Sequence, residues 1–241
     1  MTIQHVTVAP SARSQPRRED PGAETTAPEK RKMTYEEFLA WTDEDTLAEW
    51  VNGEVIVTSP ASRRHQEMAN FLNILLSFYV SVRNLGRVLL PPFQVKLGSD
   101  LPGREPDLLF VASGHLDRLQ ETHLDGPADL IVEIVSPESQ QRDRGAKFYE
   151  YEAAGVSEYW LIDPQRRQAE FHQLGEDRVY RPALPDAEGR CHSVVLPGFW
   201  LRVDWLWQDP LPTPVETLRL LTEILGSGSE TEAVREFLNH V

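Results

Sequence analysis

The chain has 241 residues, of which 40 % are hydrophobic and 26 % charged, a formal net charge of −14 and one cysteine, Cys191. No run approaches the ~18 apolar residues of a membrane span, the start lacks the apolar core of a signal peptide, and one cysteine excludes an internal disulfide or a multi-cysteine metal site. The expectation is a cytoplasmic globular protein whose acidity disfavours broad adhesion to nucleic acid or anionic membrane, so a polyanion would need a local patch and metal ions.

Residues 1–32 are rich in Pro, Arg, Glu and Thr, show no hydrophobic period, and read as a disordered arm. Thr34 and Glu37 have capping-box spacing, which opens a short helix to about Trp41. Asn52-Gly53 between two strand-like runs is the strongest hairpin signal in the chain. From Ser62 to about Leu85, Met68, Phe71, Leu72, Leu75, Tyr79 and Val82 share one helical face, with Gly86 as the expected stop.

"GRVLLPPFQVKL", "PDLLFV" and "ADLIVEIV" then read as strands, and residues 138–154 as a helix closed by Gly155. "SEYWLID", "QAEFHQL" and "DRVYRPAL" are further strands, with Tyr159 and Trp160 as core aromatics. Two short helices are expected at about 214–225 and 230–239, split by "GSGS". Their leucines (Leu218, Leu221, Leu225, Leu238) and Phe237 would either cover the sheet or make a dimer contact. The order predicts an α/β fold, helices around one mixed sheet, spanning 33–210, with a helical extension at 211–241. A P-loop or GxGxxG turn is absent.

One strand poses a chemical question. In "DLIVEIVS" the carboxylate of Glu133 interrupts an apolar run that reads as buried on both faces. Burying it without a partner costs several kcal/mol, by order of magnitude, unless it takes a proton. In "REPDLLFV" Asp107 opens a second apolar strand just after Pro106. If these strands are neighbours the two carboxylates converge, and they resist ionising together unless a cation such as Mg²⁺ lies between them. In the next helix Asp143 and Lys147 are i,i+4 neighbours, with Tyr151 continuing the face. Lys147 is one of only four lysines (Lys30, Lys32, Lys96, Lys147) among 24 basic residues. Taken singly, Glu133 could be a buried ion-paired residue, Asp107 a strand-end turn residue, and Lys147 half of a solvated pair with Asp143.

"VNGEVIVTSPASRRH", "REPDLLFV", "DLIVEIVSPES" and "RDRGAKFYEYEAAGVSEYWLIDP" together resemble the Uma-two family of restriction-endonuclease-like proteins over about residues 34–180. The resemblance implies the PD-(D/E)XK nuclease fold, a mixed central sheet flanked by helices, and metal-dependent cleavage of DNA. It makes Asp107 and Glu133 the metal-binding carboxylates, the main-chain carbonyl of Ile134 a further ligand, and Mg²⁺ or Mn²⁺ the ion. The position two residues after the glutamate, usually lysine, holds Val135, so the resemblance implies that Lys147 substitutes from the following helix. His65 and Glu54 match further family positions. A homodimer would allow both strands of a duplex to be cut. Two other functions are compatible with the same residues: a non-catalytic binding or scaffold module, favoured by the acidity and the missing in-strand lysine, and a metal-independent hydrolase with Asp107 and Glu133 as acid and base.

Overall fold

The structure, a computed structural model, describes residues 32–42, 48–57, 61–136, 139 and 142–240. The arm expected at the N-terminus lies, apart from Lys32, outside the described residues.

Local signals act as their chemistry requires. Helix α1 (Tyr35–Trp41) starts at a full Thr34–Glu37 capping box. Strands β1 (Ala48–Val51) and β2 (Glu54–Val57) pair with Val51 opposite Glu54, and the turn residues Asn52 and Gly53 both take positive φ, as a two-residue hairpin demands. Helix α2 (Arg63–Arg83) is capped by the Ser62 hydroxyl, which accepts from the His65 N–H. It stops at Asn84 in the left-handed conformation, two residues before the expected Gly86. Asn tolerates that conformation through its short polar side chain.

Strand β3 (Gly86–Leu89) follows, and here the expected continuous strand divides. Pro91 and Pro92 remove two N–H donors, so β4 (Gln94–Lys96) joins a different sheet. After β5 (Gly103–Arg104) come β6 (Leu108–Ala112), β7 (His123–Asp125) and β8 (Leu130–Ile134). A π-helical turn, Asp143–Lys147, then leads into α3 (Phe148–Ala154), closed by Gly155 at positive φ. Next are β9 (Glu158–Asp163), β10 (Gln168–Leu174) and β11 (Tyr180–Pro182). An unforeseen two-stranded ribbon, β12 (Arg190–His192) and β13 (Trp200–Arg202), precedes α4 (Pro214–Leu225) and α5 (Ser229–Leu238).

The architecture is mixed α/β, with two principal sheets where one was expected. The six-stranded sheet runs β11-β10-β9-β8-β6-β3, antiparallel except for the β8–β9 pair, which α3 connects. The five-stranded sheet runs β2-β1-β5-β4-β7. Strand β8 explains why two cores form. Leu130, Val132 and Ile134 join a cluster with Met68, Leu75 and Tyr79 of α2 and Leu218 and Leu221 of α4. Ile131 and Val135 face the opposite side, with Val95 of β4, Leu124 of β7 and Tyr151 of α3. By strand alternation Glu133 belongs to this second side, between the two sheets. Leu218, Leu221 and Leu225, considered for a dimer contact, are buried inside the fold, whereas Phe237 is exposed.

Gly86 is a backbone requirement. Its φ is +153°, and a Cβ there would come 2.0 Å from the Val111 carbonyl oxygen across the β3–β6 pair. Gly86→Ala should therefore lower the unfolding free energy by on the order of 3 kcal/mol, read from the urea midpoint at unchanged m-value.

Candidate functional site

Strands β6 and β8 are hydrogen-bonded antiparallel neighbours with Leu108 opposite Val132, so Asp107 and Glu133 lie at the same end of the pair. Asp107 is held from two sides. Its Oδ2 accepts the Ile134 N–H at 2.6 Å, and its Oδ1 lies 3.2 Å from His65 Nε2. His65 gets there because α2 begins at that end of the sheet. Burial alone would lower the His65 pKa, but the hydrogen bond and charge of Asp107, helped by the Ile134 main chain, hold the imidazole above its ordinary value. Its Nδ1 is buried with no hydrogen-bond partner among the described residues.

Glu133 is 3 % exposed, and both donors it meets converge on Oε1: Lys147 Nζ at 2.8 Å and the Tyr151 hydroxyl at 2.7 Å. The π turn places Asp143, Lys147 and Tyr151 on one side, turned toward the sheets. Such turns often mark functional positions, where the ladder gives way to a side-chain requirement. Lys147 Nζ also lies 2.8 Å from Glu49 Oε1 and 3.5 Å from Asp143 Oδ1. Three carboxylates from three elements thus surround one buried ammonium.

Glu49 is the residue that sequence reasoning missed. The hairpin was expected to contribute Glu54, but Glu54 stands exposed at the first position of β2. The hairpin glutamate that enters the cluster is Glu49 on β1, which is 1 % exposed. Its second oxygen accepts Arg104 NH1 at 2.9 Å, and Arg142 Nε is 3.6 Å away. Arg104, itself 1 % exposed, makes two further bonds to Glu150 of α3, from Nε at 2.8 Å and NH2 at 2.9 Å. The available signal was the strand period: "AEWV" alternates, so Glu49 faces away from Ala48 and Trp50. Which side is inside only the second sheet could show.

The two glutamates that share Lys147 titrate in opposite directions. Burial pushes Glu49 up, but the charges of Lys147, Arg104 and Arg142 outweigh it and lower its pKa to about 2. Burial raises Glu133 too; Lys147 opposes this, but Asp143, Asp107 and Glu49 repel its charge, and its pKa rises to about 8. Burial likewise raises Asp143. Lys147 is pulled down by burial but pushed further up by its carboxylates, so it stays protonated. Within the cluster the surrounding cations therefore favour the charged form of Glu49, while burial and acidic neighbours disfavour that of Glu133.

The fold is a mixed α/β one, with its sheets flanked by helices. A solved structure described as a "putative nuclease belonging to DUF820", from Anabaena variabilis ATCC 29413, shares it, with a TM-score of 0.58 at 17 % identity over 71 % of this chain and 96 % of that one. The chain belongs to the Uma2 family, described as "Putative restriction endonuclease", whose model matches residues 35–204. No curated protein matches. Among the described residues no helix is long and apolar enough to cross a membrane.

Two measurements probe the cluster. Glu49→Ala leaves Lys147 and Arg104 short of a buried counter-charge and should cost about 3–5 kcal/mol in denaturant unfolding. Glu105, next to Arg104, accepts the Ala48 N–H at 3.0 Å, and burial pushes its pKa up to about 7. A carboxyl raised on folding binds its proton more tightly in the native state, so its contribution is fully present below the unfolded value of about 4.5 and is lost as pH rises toward 7. Glu105→Gln should accordingly remove part of the stability loss that wild type shows between those pH values, measured by urea titration at each pH.

Proposed function

We propose that the protein is a metal-dependent endonuclease that hydrolyses phosphodiester bonds of DNA. What carries this reading is the convergence of Asp107, Glu133 and Lys147 from three separate elements at the end of one strand pair, in a chain of a family so described.

The donor set suits a hard divalent ion. Asp107 and Glu133 offer carboxylate oxygens, and the Ile134 main chain adjoins Asp107. The described residues contain no group of three or more His, Cys, Asp or Glu arranged to hold a metal ion, so an all-protein cage does not fit. Mg²⁺ or Mn²⁺ held by one or two carboxylates, a carbonyl and several waters does. When bound, such an ion lowers the pKa of water and neutralises charge developing on phosphate.

The chain's own groups have distinct tasks. The Ile134 N–H and His65 fix both oxygens of Asp107. Glu49, through Arg104, fixes the Lys147 ammonium against Glu133. Lys147 supplies a desolvated positive charge for an attacking water or a phosphate oxygen. It takes the place of the in-strand lysine, because Val135 is buried in the second core and cannot serve. Glu54, exposed on the hairpin, has no part in this scheme. Two copies acting together would be needed to cut both strands of a duplex.

One observation favours a second reading, a non-catalytic binding module: Lys147 is enclosed by three carboxylates in a strongly acidic chain. Supercoiled-plasmid nicking separates the two. Wild type should nick in Mg²⁺ or Mn²⁺ and not in chelator. Glu133→Gln and Lys147→Ala, shown folded by circular dichroism, should each lose at least about a hundredfold in rate. Equal nicking by wild type and Lys147→Ala would remove the lysine from the mechanism. Nicking in excess chelator would overturn metal dependence.

A further inference from the structure

Successive residues of β1 point to opposite faces, so while Glu49 enters the carboxylate cluster, Trp50 faces the other side of the five-stranded sheet. That side holds a cleft of about 590 Å³ between the start of α1, the β1–β2 turn and the segment joining β4 to β5. Its lining includes Lys32, Tyr35, Trp50, Gly53, Lys96 and Ser99. This volume lies in the range of small-molecule sites.

The chemistry of the lining is selective. Trp50 and Tyr35 form a right-angled corner, with ring centroids 5.7 Å apart and planes at 72°. The indole is held in place by its N–H, which donates to the Met33 carbonyl at 2.7 Å. Tyr35 is 7 % exposed, its ring lies against Gly103, and its hydroxyl has no hydrogen-bond partner among the described residues. A buried hydroxyl without a partner is destabilising. Two of the chain's four lysines stand here. Lys96 Nζ lies 5.6 Å from the Tyr35 ring and 3.9 Å from Asp125 Oδ1. The Lys32 stem packs over Gly53, where a Cβ would meet it at 3.0 Å. In a chain of net charge −14, Lys96 over the Tyr35 ring and Lys32 in the lining, beside two aromatic rings, match a planar ring that carries an anion, with Glu36 the one acidic residue in the lining.

We infer that this cleft binds a mononucleotide, its base against the Trp50–Tyr35 corner and its phosphate drawn by Lys32 and Lys96. The site is separate from the carboxylate cluster and does not depend on that cluster being catalytic.

Calorimetric titration of the full chain with adenosine 5′-monophosphate, adenosine and inorganic phosphate tests this. The monophosphate should bind saturably and more tightly than either fragment. Lys96→Gln should weaken it about tenfold and Trp50→Leu by a similar factor, whereas Glu133→Gln should leave the affinity unchanged. Lys96 is partly exposed, so its variant remains informative if Trp50→Leu does not fold. Absence of saturable binding, phosphate binding as tightly as the nucleotide, or wild-type affinity in Lys96→Gln would each overturn the proposal. Loss of binding in Glu133→Gln would also overturn it, by moving the nucleotide to the other face of the sheet.

Discussion

The rest of the structure depends on one buried ammonium. Desolvating Lys147 would be prohibitive alone, and it is tolerated because Glu133 from the six-stranded sheet, Glu49 from the five-stranded sheet and Asp143 from the helical turn all reach it. The contact is therefore also what joins the elements. Arg104 extends the network by bonding Glu49 on one side and Glu150 of α3 on the other, so the helix that delivers Lys147 is tied twice to the sheet that delivers Glu49. Buried networks of this kind are costly when incomplete.

Within the network, environment divides carboxylates of the same chemistry. Glu49 has three cations around it and stays ionised; Glu133 has one cation and three acidic neighbours and holds its proton far more tightly. Asp107, a strand away, is instead fixed by hydrogen bonds from a main-chain N–H and an imidazole. The cations Lys147, Arg104 and Arg142 are thus matched by buried carboxylates beside the end of the β6–β8 pair.

The hairpin strand β1 serves two faces at once. Its alternation sends Glu49 inward to the sheet–sheet interface and Trp50 outward to the cleft beside α1. Four consecutive residues thereby connect the site proposed for phosphodiester chemistry to a cavity of different character.

Much was legible in the sequence because it was local. The Thr34–Glu37 box, the Asn52-Gly53 turn and the apolar face of α2 each rest on interactions within a few residues, and each forms where its residues predict. Glu133 was legible as an anomaly, since a carboxylate in a doubly buried strand demands a partner; Lys147 was suggested by the family pattern rather than by its spacing. The sequence could not determine that Pro91-Pro92 sends the chain from one sheet to another, nor that Glu49 rather than Glu54 meets the lysine. Those outcomes depend on which face of a strand a distant element covers. Short-range preferences carry no information about that choice; it is made only when the two sheets pack and the buried charges must find one another.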